Sequence, residues 1–319
     1  MFPSKMIYCK DNRNGASPLL SIAIPTYKNK KFLIKAIQSI ENQTQKKPFD
    51  YEVLIVSNNP GDTMRDVIPY CEQSELPICI YVNEENYGQV GNINQCVELS
   101  RGDYVAFLHD DDMLLPVFFS TIRQYLNTDR VYPCILPSYY NMYADYRPDT
   151  KHRFLSAIFF PRFFYRKELQ VVHPNDHLYA FDDIYGAPSC GTVFHRQSVM
   201  KFGLFRDERG AAWDYYNFRE FNKQYDVYML HKFVGIRRSD SGMSSESRVR
   251  QQFVEDKKRM VFQDEAENPF ITAYRDTIFS HKPTWKYVCF RLRTRWYFYT
   301  RNLDKSIGIP KELFRQYHD

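Results

Sequence analysis

Long apolar runs are missing from this sequence of 319 residues. A membrane-spanning helix needs a run of about 18 apolar residues, and a signal peptide needs an apolar core near the N-terminus. The first residues, MFPSKMIYCKDNRNG, have no such core. We therefore expect a cytoplasmic protein that neither spans nor crosses a membrane. With 44% hydrophobic and 25% charged residues, its composition is ordinary for a globular chain.

Strong positive charge and clustered metal-binding cysteines are also missing. The formal net charge is only +5, whereas a nucleic-acid-binding surface needs a concentrated basic patch. The seven cysteines form no CxxC pair, and no closely spaced histidine completes a zinc site. We expect no nucleic-acid partner, and we interpret the cysteines as reduced thiols.

Three common motifs of nucleotide-binding and hydrolytic enzymes are absent. The sequence contains no GxGxxG fingerprint, no Gly-Lys-Ser/Thr loop and no GxSxG elbow. These absences argue against a Rossmann dehydrogenase, a P-loop kinase and an α/β-hydrolase. His173 and His177 are close in sequence, but Pro174 between them argues against a helical metal-binding pair.

Short apolar runs alternate with segments of helical period from residue 19 to about residue 125. The runs predict strands at 20–24, 51–57, 78–82 and 103–108. Apolar stripes at helical spacing follow each of the first three runs. This alternation is typical of βα units, so we predict an α/β fold with a doubly wound, mainly parallel sheet.

Polar segments follow three of the predicted strands. They are Pro25 to Tyr27, Ser57 to Asn59, and His109 to Asp112. Ligands bind beyond the carboxyl ends of the strands in open α/β sheets. We therefore expect these three segments to meet at one crevice.

Asp110, Asp111 and Asp112 are the most informative residues of that crevice. Two unit charges about 4 Å apart repel by roughly 4 kcal/mol at an effective dielectric constant of about 20. A hard divalent cation such as Mg²⁺ or Mn²⁺ removes this cost. The alternative is a solvated acidic turn that caps a helix starting near Leu115.

The order of several short motifs resembles that of a known family. The motifs are Ser21 to Tyr27, Val53 to Asn59, Asn86 to Gly88, Gly91 to Asn94, and Arg101 to Tyr104 leading to Phe107 through Asp112. Together they resemble the family 2 glycosyltransferases, which have the GT-A fold. The resemblance covers roughly residues 19 to 245. It implies a Rossmann-like nucleotide-binding half followed by an acceptor half.

The resemblance implies a nucleotide-sugar site and a metal site. The nucleotide-sugar site would consist of Pro25, Thr26, Tyr27, Asn58, Asn94 and Asp110. Thr26 and Tyr27 would contact the base, and Asp110 would contact the ribose hydroxyls. Asp111, assisted by Asp112, would hold Mn²⁺ or Mg²⁺.

Two positions near this site depart from the family's pattern. The acidic motif of relatives often begins one residue earlier, where this chain has His109. Asn58 stands where many relatives carry an Asp that accepts a hydrogen bond from uracil. An amide can accept such a bond but also donates, so the resemblance does not imply a preference for uracil.

The resemblance also implies a catalytic base in the second half of the chain. Relatives usually present Glu-Asp where this chain has Trp213-Asp214. An inverting transfer needs a base that takes the proton from the attacking hydroxyl, and Asp214 is the candidate. Trp213 is a candidate platform for the acceptor sugar. The alternative is that Asp214 only caps the helix predicted at 215–221.

Arg237 and Arg238 are candidates for clamping the donor diphosphate. The alternative for this pair is an exposed, charged loop. In relatives, a stretch of similar shape often supplies a late histidine ligand to the metal. Ser239 occupies that position here, so this ligand is expected to be absent unless Asp240 replaces it.

We divide the chain into four parts. They are a loose leader at 1–18, a nucleotide-sugar-binding half at 19–125, an acceptor-binding and catalytic-base half at 126–245, and a helical extension at 246–319. Residues 281–301 of the extension carry six Lys or Arg residues and no acid, interleaved with aromatics. Such a segment suits a helix lying on an anionic membrane, at its inner face. The alternative is a helix that packs its aromatics on the catalytic domain.

The prediction for function is a metal-dependent inverting glycosyltransferase that moves a sugar from a nucleoside-diphosphate donor to a hydroxyl of a glycan or lipid-linked glycan. Bacterial surface polysaccharide synthesis is the expected setting. A sugar nucleotidyltransferase is a rival, but it would carry a Gly-rich loop after the first strand, and residues 26–31 contain no glycine. A glycan-binding relative without catalysis is the other rival, given the departures at Asn58, Trp213 and Ser239.

The membrane hypothesis predicts that the intact protein sediments with anionic liposomes, because each basic residue near the surface contributes about 1 kcal/mol. Neutral liposomes are the control. Protein that stays in the supernatant with both kinds of liposome would remove the hypothesis.

Overall fold

The computed structural model of the chain describes most of its first 238 residues and a short segment after them. The described residues are 2–10, 17–28, 30–45, 50–142, 168–174, 190–208, 210–238, 246–249, 251–253 and 255–256. Ser239, Asp240 and residues 281–301 lie outside them.

Ten strands form one sheet within the described residues. They are β1 (Ser4–Cys9), β2 (Leu20–Thr26), β3 (Tyr51–Ser57), β4 (Ile78–Asn83), β5 (Tyr104–Phe107), β6 (Met113–Leu114), β7 (Cys134–Met142), β8 (Leu169–Val172), β9 (Val193–His195) and β10 (Val227–Arg238). The helices are α1 (Lys30–Glu41), α2 (Ile68–Gln73), α3 (Gly88–Leu99), α4 (Phe118–Leu126), α5 (Arg196–Phe202) and α6 (Trp213–Asn222). None of these helices has the length and apolar character that crossing a bilayer requires.

The strand order is β1-β4-β3-β2-β5-β9-β7-β10-β6, and β8 also pairs with β10. Strands β4, β3, β2 and β5 are mutually parallel, as predicted for the first half. In the second half, β9 runs antiparallel to both β5 and β7, and β10 is parallel to β7. The predicted α/β fold with a doubly wound, mainly parallel sheet is confirmed, and most of the parallel pairs lie in the first half.

Apolar cores lie on both faces of this sheet. Leu20, Ile22 and Ile24 of β2 belong to the core that also contains residues of α1, α2 and α4. Ala23, the intervening residue, belongs to the core that contains residues of α3, α5 and α6. Successive side chains of a strand point to opposite faces, so helices cover both sides of β2.

The N-terminal segment differs from the prediction of a loose leader at 1–18. Strand β1 pairs antiparallel with β4, from Ser4 opposite Asn83 to Cys9 opposite Cys79. The physical reason is tertiary, because the backbone groups of β4 that face away from β3 are available to pair with another strand.

The cysteines also differ from the expectation that all seven are reduced thiols. The structure joins Cys9 and Cys79 by a disulfide across the β1–β4 pair. Free thiols are found at Cys71, Cys96, Cys134 and Cys190, and all four are buried. The two cysteines are 70 residues apart in sequence, but they lie opposite each other on the paired strands β1 and β4.

A buried carboxylate ties β2, β3 and the segment before β5 together, at the end of the sheet opposite the crevice. Glu52 accepts hydrogen bonds from Ser21 Oγ at 2.6 Å and from the backbone N of Arg101 at 2.8 Å. The guanidinium of Arg101 approaches the same carboxylate to 2.6 Å. Ser21 Oγ in turn accepts the backbone N–H of Gly102 at 2.9 Å.

Replacing Glu52 should therefore weaken the fold without altering the crevice. We expect Glu52→Ala to lower the free energy of unfolding by about 2–4 kcal/mol, because it leaves buried donors without their acceptor. Urea unfolding measures the change. The exposed Glu75→Ala variant is the control, with an expected change within about 0.5 kcal/mol. Equal stability of the two variants would contradict this account.

Candidate active site

The ends of β2, β3 and β5 meet, as the sequence predicted. Thr26 Oγ1, at the end of β2, donates to Asp110 Oδ2 at 2.6 Å, and the backbone N of Tyr27 lies 3.4 Å from the same oxygen. The backbone N of Asn58, just after β3, donates to the carbonyl of Thr26 at 2.9 Å. These bonds place the predicted nucleoside contacts beside the acidic segment.

Tyr27 is the exposed aromatic residue of this crevice. Its side chain is 47% exposed, and Lys28 Nζ lies 4.8 Å from its ring centroid. Pro25 and Thr26, the last two residues of β2, precede it. An exposed aromatic face beside buried polar groups can stack on a planar ligand such as a nucleobase.

Three side chains of the acidic segment could hold a metal ion. His109, Asp111 and Asp112 each offer one ligand atom, and these atoms lie within 4.8 Å of one another. Two ligand atoms at about 2.1 Å from one ion are at most about 4.2 Å apart, so small side-chain rotations would complete the set. Imidazole nitrogen and carboxylate oxygen together suit a divalent cation such as Mn²⁺.

The environment of Asp112 favours a cation beside it. Its side chain is 3% exposed. Burial raises the pKa of Asp112 well above its usual value, and the neighbouring charge of Asp111 raises it further, while Arg237 and the backbone N–H of Arg238 act in the opposite direction. A positive ion next to this carboxylate would offset the cost of keeping it charged.

The acidic segment does not cap a helix, which was the alternative interpretation. Strand β6 follows Asp112 directly, and α4 begins only at Phe118 with Val117 as its N-cap residue. Sequence reasoning identified Asp111 and Asp112 but did not assign His109 as a ligand. The available signal was its position at the same strand end, two residues before Asp111.

Arg237 and Arg238 lie in β10 and not in the exposed loop that was the alternative. The backbone N of Arg238 donates to Asp112 Oδ1 at 3.0 Å. The Arg238 side chain is fully buried, with its guanidinium 4.1 Å from the ring centroid of Phe32. A buried guanidinium stacked in this way does not fit a diphosphate clamp, so only Arg237, which is partly exposed, keeps that candidate role.

Asn58 is not available to a nucleobase in this structure, in contrast to its predicted role. Its Nδ2 donates to Asn86 Oδ1 at 2.7 Å and to the carbonyl of Gly88 at 3.0 Å. Its Oδ1 accepts from Asn83 Nδ2 at 2.9 Å and from the backbone N of Tyr87 at 3.0 Å. A carboxamide has two donors and two acceptor positions, and all four are filled by the protein.

Asn94 also has a structural partner where a ligand contact was predicted. Its Nδ2 donates to the carbonyl of Phe205 at 2.8 Å, and its Oδ1 accepts the backbone N–H of Phe205 at 2.9 Å. This two-way bond fixes the segment after α5 on α3. Local sequence carries no signal for it, since the partners are 111 residues apart.

An ion pair that sequence reasoning missed lies after β3. Lys30 Nζ, at the start of α1, contacts Asp62 Oδ1 at 2.5 Å, and Ser57 Oγ lies 3.2 Å from Asp62 Oδ2. Burial raises the pKa of Asp62, but the hydrogen bond and charge of Lys30, with the backbone N–H of Met64, lower it overall. The pair holds the loop after β3 against α1.

Asp214, the candidate base, lies in the first turn of α6. Its Oδ1 accepts the backbone N–H of Tyr215 at 2.7 Å, and the side chain is partly exposed. The N-cap residue is Ala212, so the interpretation of Asp214 as the helix cap does not hold, although an acid in the first turn still interacts favourably with the helix dipole.

Trp213 is buried and does not fit the predicted role of an acceptor platform. Its side chain is 5% exposed and packs with its edge towards Phe205, with ring centroids 6.3 Å apart. Its Nε1 donates to Gln89 Oε1 at 3.2 Å. Trp213 therefore connects the start of α6 to the start of α3.

Part of the predicted C-terminal extension packs on the start of α6. Asp256 Oδ2 accepts the backbone N–H of Ala211 at 3.1 Å. Phe253 packs against Ala212 and Tyr215. Described residues between 247 and 256 are helical, as predicted for this extension.

Solved structures with the same fold are glycosyltransferases. A Staphylococcus aureus TarS fragment, residues 1–349, in complex with UDP-GlcNAc has a TM-score of 0.55 and 14% identity, over 86% of this chain and 79% of that one. The Pyrobaculum calidifontis mannosyltransferase PcManGT, in complex with GDP-Man and Mn²⁺, has a TM-score of 0.55 and 14% identity, over 90% and 74%. The fold of this chain is therefore of the GT-A type.

The chain belongs to glycosyl transferase family 2, whose sequence model matches residues 21–200, more than half of its length. An uncharacterized glycosyltransferase of Methanocaldococcus jannaschii is 30% identical over 166 residues, or 50% of this chain and 54% of that protein. A Campylobacter jejuni GalNAc(5)-diNAcBac-PP-undecaprenol beta-1,3-glucosyltransferase is 36% identical over 112 residues, or 34% of this chain and 35% of that protein. The chain thus spans about half or less of the length of these relatives.

The three possible metal ligands are one imidazole and two carboxylates. We predict that the imidazole, that of His109, ligates Mn²⁺ directly. In electron spin-echo spectra of Mn²⁺ with UDP or GDP, we expect ¹⁴N coupling in the wild type that disappears in His109→Ala. Loss of one ligand should also raise the Mn²⁺ dissociation constant about tenfold.

His173→Ala is the matched control, since His173 is exposed and pairs with Asp226 at 2.9 Å, outside the acidic segment. Nitrogen coupling that persists in His109→Ala, or that is absent from the wild type with Mn²⁺ bound, would show that His109 is not a ligand.

Proposed function

We propose that this protein is a metal-dependent inverting glycosyltransferase that moves a sugar from a nucleoside-diphosphate donor to a hydroxyl of a glycan acceptor. The observation that carries the proposal is the junction of β2 and the acidic segment, where Thr26 bonds Asp110 beside the group of His109, Asp111 and Asp112. A nucleoside and a metal-bound diphosphate need these two sets of polar groups side by side.

The donor nucleoside would lie against the end of β2. Tyr27 offers an exposed ring for the base, and Asp110, already fixed by Thr26, offers carboxylate oxygens to the ribose hydroxyls. Because the side chain of Asn58 is fully occupied by protein partners, base selection falls to other groups around Tyr27.

The diphosphate would lie over the acidic segment. His109, Asp111 and Asp112 would hold the cation, and Arg237, whose charge acts on Asp112, adds a positive side chain nearby. A bound divalent cation supplies the positive charge that stabilises the departing nucleoside diphosphate. Mn²⁺ is our choice over Mg²⁺, because imidazole is a poorer ligand for the harder ion.

Asp214 would act as the base that takes the proton from the acceptor hydroxyl as the new glycosidic bond forms. Its carboxylate is partly exposed and is oriented by the N–H of Tyr215 at 2.7 Å. A carboxylate held in this way can act as a general base. Trp213, in the preceding position, would fix the direction of this carboxylate by anchoring the helix to Gln89.

The acceptor is proposed to be a growing bacterial surface polysaccharide, free or linked to a lipid. Support comes from the Campylobacter relative, a glucosyltransferase whose substrate is linked to undecaprenol. The proposed localisation is the cytoplasm, at the inner face of the membrane when the acceptor is lipid-linked.

Ligand-dependent melting tests the donor site. A nucleoside diphosphate or nucleotide sugar present at about 100 times its dissociation constant should add roughly 2.7 kcal/mol of stability. We expect this gain for one base only and only with Mn²⁺ present. The proposal would be contradicted if a folded protein had the same melting temperature without nucleotide as with each of the nucleotides.

Asp214→Asn tests the base with the donor found in this way. The amide keeps the bond to Tyr215 but cannot take a proton, so kcat should fall about 10²- to 10⁴-fold while donor affinity stays within about twofold. The exposed Asp207→Asn variant is the control, with unchanged kcat. Turnover that is unaffected in Asp214→Asn would remove the base assignment.

A further inference from the structure

The loop between β4 and α3, taken together with Gly88 at the start of α3 as residues 84–88, is bonded on one side to the N-terminal segment, residues 2–4. The carbonyl of Pro3 accepts the backbone N–H of Glu84 at 3.1 Å and the hydroxyl of Tyr87 at 3.0 Å. The ring of Phe2 stacks on Tyr87, with centroids 4.4 Å apart and an interplanar angle of 16°. Phe2 is 43% exposed, so the stack lies on the surface of the protein.

The elements on either side of this loop are bonded to the same segment. Ser4 Oγ donates to Asn83 Oδ1, at the end of β4, at 2.8 Å. Gln95 of α3 accepts the backbone N–H of Phe2 at 3.2 Å and donates to the carbonyl of Phe2 at 2.9 Å and to Ser4 Oγ at 2.6 Å. The segment therefore bridges β4 and α3 across the loop.

Gly91 allows this close packing. An added Cβ at residue 91 would lie 2.6 Å from Tyr87 Cβ and 3.5 Å from the ring of Phe2. Only glycine gives the Tyr87 side chain room to lie across α3 in this way.

The other side of the loop is bonded to the donor crevice. Asn58 accepts the backbone N–H of Tyr87 and donates to the carbonyl of Gly88. The backbone of Asn58 is bonded to Thr26, whose side chain holds Asp110. A continuous series of hydrogen bonds thus runs from the N-terminal segment, through the loop, to the carboxylate proposed to bind ribose.

A parallel connection reaches the helix that carries the candidate base. Gln89, the residue after the loop, accepts the indole N–H of Trp213, and Asp214 follows Trp213 directly. Movement of the loop would therefore disturb both the donor crevice and the start of α6.

We propose that Phe2, Pro3 and Ser4 are positioning residues for the donor site. They hold residues 84–88 in the shape in which Asn58 bonds the loop, and this pre-formed crevice binds a nucleoside diphosphate without first ordering an exposed loop. Ordering such a loop on binding would reduce affinity. The inference rests on the proposed function for the identity of the ligand.

Phe2→Ala tests the proposal, because it removes the stack from an exposed ring. With UDP and GDP in the presence of Mn²⁺, calorimetry should show a dissociation constant about three- to tenfold higher than in the wild type. The kcat at saturating donor should also fall, because the loop precedes Gln89, which holds Trp213 next to Asp214. Amide hydrogen exchange at residues 84–88, measured without ligand, should become faster.

Two variants of the same segment are controls. Met6→Ala removes a side chain from β1 at a residue that is 53% exposed, and should leave both affinity and exchange unchanged. Phe2→Tyr keeps an aromatic ring, so its nucleotide affinity and its amide exchange at residues 84–88 should equal those of the wild type. A Phe2→Ala protein that melts lower but keeps wild-type affinity and wild-type exchange at 84–88 would overturn the proposal.

The two proposals fail in different ways. A wild-type protein that binds neither nucleotide contradicts a UDP or GDP donor in the proposed function. Amide hydrogen exchange at residues 84–88 then tests the positioning role of residues 2–4 by itself. Faster exchange in Phe2→Ala supports this role, and unchanged exchange overturns it.

Discussion

Burial of the Asp112 carboxylate is the constraint on which the site depends. A charge that is 3% exposed needs fixed partners, and the structure supplies the backbone N–H of Arg238 at 3.0 Å. That bond joins the segment after β5 to the end of β10, and it therefore joins the first half of the chain to the second. The backbone N–H of Asp112 also bonds the carbonyl of His109 at 3.0 Å, which fixes the turn between these two residues.

A second polar centre, around Asn58, organises the other side of the crevice. Its amide joins the ends of β3 and β4 to the β4–α3 loop, and Asn83 extends the network to Asn92 at 3.0 Å. A fully satisfied buried amide stabilises one arrangement of these strand ends strongly, because every alternative leaves a donor or acceptor unpaired. The network therefore shapes the proposed nucleotide crevice, while the side chain of Asn58 bonds the protein.

Much of the first half could be predicted because its information is local. The strand predicted at 51–57 has the observed bounds, and that predicted at 78–82 lacks only one residue. Alternating apolar runs and helical stripes follow directly from the burial of two sheet faces. The crevice could be predicted as well, because the carboxyl ends of parallel strands must lie at one edge of the sheet.

The sequence by itself determined the order of βα units, the strand ends that face the ligand and the carboxylates available for a cation. Only the tertiary structure decided that Asn58 and Asn94 bond the protein, that Trp213 is buried, and that residues 4–9 form a strand. The reason is physical: each of these outcomes depends on partners 25 to 124 residues away, for which neighbouring residues carry no signal.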